Sequence, residues 1–117
     1  EIYRRAFEKT VKTIQTKWNN TPVIYVAAHK LGSRDIVIQE KIRNIAFKIC
    51  EQYQVIVADV YNLLDTNDVN KKNKYTFDEL TKNGLPGMNG SGTHPNFAAI
   101  EEYYVPVVCE AFKEVEL

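Results

Sequence analysis

Six consecutive residues, Val23-Ile24-Tyr25-Val26-Ala27-Ala28, carry no charge and include three β-branched side chains. A run of this kind without polar alternation predicts a strand buried on both faces, as in a parallel sheet covered by helices. Lys30 to Arg34 reads as a loop, and Asp35 suits the N-cap of a helix. Ile38, Ile42, Ile45, Ile49 and Tyr53 then step by four, three, four and four, which predicts an amphipathic helix ending near Gln54. Val55 to Ala58 is a second short apolar run, expected to be buried on both faces and closed by Asp59. Strand, helix, strand in this order is a βαβ unit, whose crossover is right-handed and whose strands are parallel.

The flanking sequence supplies helices. Tyr3, Phe7, Val11, Ile14 and Trp18 form one stripe over residues 2–18, and Asn19-Asn20-Thr21-Pro22 ends it. Val60 to Leu64 reads as a helical turn capped by Asp59, and residues 65–75 as a polar, solvated loop that includes Lys71-Lys72-Asn73-Lys74. Thr76 is placed to cap one helical turn from Phe77 to Leu80, and Gly84 to Gly92 reads as irregular loop. Pro95 fits the first turn of a last helix striped by Phe97, Ile100, Tyr104, Val107 and Ala111. Pro106 inside that helix removes the bond to Glu102 and predicts a kink. Of the paired Tyr103 and Tyr104, one is expected in the core and one on the surface.

Composition narrows the function. Hydrophobic residues make up 44% and charged residues 26% of the 117, as in an ordinary globular chain. Fifteen basic and fifteen acidic residues cancel, leaving no general basic field for nucleic acid or an anionic membrane. Neither partner is expected, and no apolar run is long enough to span a bilayer. Cys50 and Cys109 lie in apolar helical patterns and read as small buried hydrophobes rather than a disulfide framework. With only His29 and His94 available, no metal site is expected, and no cofactor.

Gly92-Thr93-His94-Pro95-Asn96 is the segment richest in chemistry. Pro95 holds His94 extended, so the imidazole is expected on a loop at the mouth of a helix, where a general base can act. In this context the chain resembles the C-terminal half of an SGNH (GDSL-type) hydrolase. The stretch "PVIYVAAHKLGSRD" is similar to the family's penultimate core strand and loop. "IQEKIRNIAFKICEQYQVIVADVYNLL" is similar to the next helix, strand and turn. "GSGTHPNFAAIEEYYVPVV" resembles the last conserved block, usually Asp-x-x-His-Pro. The resemblance implies a flavodoxin-like three-layer α/β/α fold with a parallel sheet, and ester hydrolysis through a serine acyl-enzyme. It makes His94 the catalytic general base. The substrate class it implies is a small ester or an acylated carbohydrate.

Two departures accompany the resemblance. The family's Gly-Asp-Ser nucleophile block and its oxyanion-hole Gly and Asn have no counterpart here, and Ser33 lies in the wrong place to replace the nucleophile. Two strands also fall short of the roughly five or six of a doubly wound sheet. Residues 1–117 are therefore expected to be the C-terminal part of one domain, inactive alone. The missing N-terminal half or another chain would complete the sheet. Second, Ser91 stands where the family has its acid. Its hydroxyl could hold the imidazole tautomer but supplies no charge, and Asp68 or Asp78 are alternative carboxylates. His29, just past the first strand, is expected to touch substrate. The competing reading is a non-catalytic binding or structural module on the same fold, of cell-surface or phage-tail type.

Overall fold

The chain is described as a computed structural model covering residues 1–78 and 89–115. Helix α1 spans Ile2–Lys17, strand β1 Ile24–Ala27, helix α2 Ile36–Gln52 and strand β2 Ile56–Asp59. β1 and β2 pair in parallel, with Ile24 opposite Ile56 and Ala27 opposite Asp59. The predicted βαβ unit is thus present. Asp35 caps α2, its Oδ1 accepting the backbone N–H groups of Val37 at 2.8 Å and Ile38 at 3.1 Å.

α2 ends in a full Schellman motif. Val55 N–H donates to the Cys50 carbonyl at 2.8 Å, and Gln54 N–H donates to that of Glu51 at 3.3 Å. The motif requires a left-handed residue, and Gln54 supplies it with φ of 58°. The chain reverses there directly into β2.

α1 and α2 pack together over one face of the sheet. Val11, Ile49, Cys50 and Val55 form the buried centre, with Phe7, Tyr25, Ile45 and Val57 around it. Tyr25 and Val57 are register partners, and the Phe7 ring meets Tyr25 edge-on at 5.2 Å. The strands are not buried on both faces, contrary to their apolar character. Val26 is 40% exposed, and among the described residues no third strand flanks β1. The N-terminal half of the α2 stripe is open as well, with Ile38 at 57% exposure.

Beyond β2, the turn from Val60 to Leu64 closes through N–H groups of Leu63 and Leu64 on the Val60 carbonyl, both at 3.0 Å. Asp59 caps it through Asn62 N–H at 3.1 Å. The stretch expected as a solvated loop over 65–75 instead contains helix α3, Val69–Tyr75. Asp68 caps it, and the buried Tyr75 anchors it in a second core with Val60, Leu64 and Ala99. The cap and one aromatic at the end of a polar run hold it, since burying a Tyr ring removes a large apolar area from water.

Strand β3, Thr76–Asp78, follows directly, where a helical turn capped by Thr76 was expected. It pairs antiparallel with strand β4, Gly90–Pro95. The expected loop over Gly84–Gly92 is therefore strand from Gly90 onward, and Pro95 closes that strand instead of opening a helix. Thr76 explains the difference. Its hydroxyl donates back to the Lys72 carbonyl and accepts the Gly92 N–H at 3.0 Å, which ends α3 and docks β4. The remainder of the expected turn and loop, residues 79–88, lies outside the described residues.

Asn96 then caps α4, the single turn Phe97–Ala99. A π-helical segment, Ile100–Tyr104, and helix α5, Val105–Phe112, continue it. The wide turn is the local answer to Pro106. Its ring would clash with the Glu102 carbonyl in an unbroken α-helix, and the π register, with Val105 N–H on the Ile100 carbonyl, moves that carbonyl away. The register shift also breaks the predicted stripe. Phe97 is 72% exposed, while Ala99, Tyr103, Tyr104 and Val107 face the second core. Tyr103 and Tyr104 are both half-buried, rather than one in and one out. Cys109, expected in the core, is exposed; Cys50 is fully buried.

Candidate functional site

Ligands of open α/β sheets bind beyond the carboxyl ends of the strands. Here His29 lies two residues past the end of β1, and β4 is held against it. The two histidines singled out from sequence thus fall in one region, with different roles.

His94 lies in β4 rather than on a loop. Its side chain is exposed, and its ring makes no hydrogen bond among the described residues. The backbone on either side of it is fixed. Upstream, the Gly92 carbonyl is met by Gly32 N–H at 3.2 Å, the Thr66 hydroxyl at 3.0 Å and His29 Nε2 at 3.4 Å. Gly92 takes φ of 77°, and an added Cβ would meet three backbone atoms of Gly32 at 3.2–3.3 Å. Only glycine fits that left-handed, crowded position.

Downstream, Asn96 is completely buried. Its backbone N–H donates to the Tyr75 carbonyl at 2.9 Å and its Nδ2 to the Lys74 carbonyl at 2.8 Å. Its Oδ1 accepts Ala99 N–H at 3.1 Å. His94 is therefore an exposed imidazole strung between two anchored points.

Ser91 does not serve the imidazole. Its hydroxyl oxygen accepts the backbone N–H groups of Thr93 at 3.2 Å and His94 at 3.4 Å. This turns the backbone toward the histidine and leaves the ring without the partner expected from the sequence. Asp68 is committed as the α3 cap, accepting Asn70 N–H at 2.9 Å. The side chain of Asp78 lies outside what is described. Ser33 lies against this region too, its hydroxyl bonded to that of Thr93.

His29, expected to touch substrate, is only 2% exposed. Its backbone N–H donates to the Tyr104 phenol oxygen at 3.1 Å, and that hydroxyl lies 2.7 Å from Nδ1. A hydroxyl that accepts from the backbone still has its own proton to give. The pattern therefore assigns Nδ1 as acceptor and leaves the ring proton on Nε2, facing Gly92. Burial pulls the His29 pKa below its ordinary 6.5, the Gly92 carbonyl partly offsets this, and the nearby His94 lowers it further. His29 is thus neutral at pH 7. Burial likewise raises the pKa of Tyr104, partly countered by the His29 backbone N–H.

An open cleft of about 350 Å³ begins at His29 and runs along α2. Ala27, Leu31, Ile38, Ile42 and Phe47 make its apolar wall. The Arg43 guanidinium is centred 4.1 Å from the Phe47 ring. This volume is in the range of small-molecule pockets. Gln39 braces the mouth, its amide donating to the Leu31 carbonyl and accepting Leu31 N–H at 2.8 and 2.7 Å.

The sequence pointed to His94, Ser91 and His29 but missed Thr66, Gly92, Asn96 and Tyr104. Gly92 and Asn96 lie two residues to either side of His94, and their proximity was the one available signal. Thr66 and Tyr104 come from distant segments with no pattern marking them. Among the described residues, no group of three or more His, Cys, Asp or Glu side chains could hold a metal ion. No helix there is long and apolar enough to cross a membrane. No family model, curated protein or solved structure matches the chain.

Proposed function

We propose that the chain is the base-bearing part of a serine ester hydrolase of the SGNH (GDSL-like) type, on a flavodoxin-like α/β/α fold. His94 is the general base. The observation that carries this reading is the placement of an exposed imidazole, without a hydrogen-bond partner among the described residues and anchored on both sides, near the carboxyl ends of two parallel strands. In that role Nε2 of His94 takes the proton of a serine hydroxyl as it attacks the ester carbonyl, and later returns a proton to the departing alcohol. The serine and the oxyanion donors come from a segment preceding residue 1 or from another chain, which also pairs with the open edge of β1. The substrate is a small ester or an acylated carbohydrate, with neither nucleic acid nor membrane as partner. His29 serves this site from behind, through the backbone, and lines the cleft in which a substrate group can lie.

The test is turnover of a chromogenic acyl ester by the chain joined to its nucleophile-bearing segment. His94→Ala should lower the rate at least about a hundredfold, the scale of general-base catalysis. Equal turnover by the two proteins would remove His94 from the mechanism.

One observation favours a second reading, a binding or structural module on the same fold. Ser91 occupies the acid position and its hydroxyl oxygen accepts backbone N–H groups, and among the described residues no carboxylate orients the ring. A completing segment without a Gly-Asp-Ser block, and no ester turnover, would favour the module.

A further inference from the structure

We propose that buried His29 is the positioning residue for His94, acting through the Gly92 carbonyl rather than through substrate. The inference rests on the hydrolase reading only for what His94 does; the positioning itself is independent of it.

Three donors converge on the Gly92 oxygen, and two of them are shared. Gly32 N–H is divided between Gly92 at 3.2 Å and the Thr66 hydroxyl oxygen at 2.9 Å. The Thr66 hydroxyl has one proton, divided between Gly92 at 3.0 Å and the Lys30 carbonyl at 2.7 Å. His29 Nε2–H has no other acceptor among the described residues. Although its bond is the longest, it is the one donor committed wholly to Gly92.

Tyr104 makes that commitment possible. By donating to Nδ1 it fixes the tautomer that leaves the ring proton on Nε2. The same phenol receives the His29 backbone N–H, so ring and main chain are both held. Gly92 in turn precedes His94 by two residues, and its own N–H is docked on Thr76 at 3.0 Å. The arrangement runs from the end of β1, through an imidazole, to the strand carrying the exposed histidine. It resembles the outer-shell orientation of a catalytic ring, except that the held group is backbone.

Amide hydrogen exchange on the full chain, followed residue by residue by NMR, tests this without any substrate. His29→Leu should speed exchange at Gly92, Thr93 and His94 about tenfold, as expected for loss of one buried hydrogen bond. Exchange at Ile49, in the other core, should stay unchanged. His29→Gln can still present a donor at the Nε2 position and should return those three amides to within about threefold of the unsubstituted chain. A merely space-filling role would not distinguish Gln from Leu in this way. Unchanged exchange in His29→Leu, equal acceleration at Ile49, or failure of Gln to rescue would each overturn the proposal. Should His29→Leu not fold, Tyr104→Phe decides. Acceleration confined to the same three amides supports the proposal, and no acceleration refutes it. Because no ester is involved, loss of the hydrolase reading would leave this result standing, and the reverse also holds.

Discussion

The hydroxyl of Tyr104 lies 2.7 Å from His29 Nδ1, joining residues 75 positions apart in the chain. A buried imidazole is thereby kept neutral with both ring nitrogens in use. Its proton-binding sets how stability responds to acid.

The folded His29 has a pKa below 6.5 and the unfolded one a pKa near 6.5. Between these values the unfolded chain binds more protons, so stability rises with pH there and falls as pH drops below about 6.5. Urea melts at stepped pH should show this loss beginning near pH 6.5. His29→Gln, which cannot titrate, should flatten that part of the profile.

Gln54 holds a left-handed conformation with φ of 58° to complete the Schellman motif. Such a conformation costs an L-residue roughly 1–2 kcal/mol. Glycine removes that cost while adding chain entropy to the unfolded state, so Gln54→Gly should stabilise by about 0.5–1 kcal/mol. A thermal melt that shows destabilisation would mean the Gln54 side chain contributes something its backbone conformation does not reveal.

Asp35 satisfies two otherwise unpaired N–H groups at the start of α2. Asp35→Ala should cost about 1 kcal/mol, and Asp35→Asn or Asp35→Ser only a few tenths. Chemical denaturation of the three variants gives the comparison directly.

The two thiols should separate cleanly by reactivity. Burial pushes the Cys50 pKa up to about 11, while Cys109 is exposed. Thiolate is the reactive form. A maleimide at neutral pH should label Cys109 in the folded chain and reach Cys50 only on unfolding. Mass spectrometry of the labelled protein checks which residue carries the adduct.

Local signals were legible where one period or one cap decided the outcome. The α1 stripe, the Asp35 cap and the βαβ order could all be read because each depends on residues within a few positions. Residues 65–78 could not. Their polarity argues for a loop, yet Tyr75 finds a core built from Val60, Leu64 and Ala99, and Thr76 finds β4. Both contacts are non-local. The candidate site divides the same way. His94 announced itself by its Pro and Asn neighbours. The burial of His29 depends on Tyr104, which no spacing in the sequence connects to it. Ser91 was read by position in a motif, whereas its hydroxyl is decided by the nearest free N–H groups.

The π turn at Ile100–Tyr104 has a consequence for how this chain tolerates change. Such a turn is equivalent to one residue inserted into an α-helix, so the sequence before it and the sequence after it run out of phase. Two neighbouring tyrosines inside it serve different clients. Tyr103 meets the Tyr75 ring edge-on at 5.0 Å, while Tyr104 reaches His29. Removing a single residue there would restore regular α-helical turns and leave the helix beyond in its present phase, but the wide turn that presents both tyrosines would be lost. Pro106 would then face an unshifted carbonyl. A one-residue deletion at this place would thus be felt in the helix and at the His29 end of the sheet together, although neither part has lost a side chain of its own.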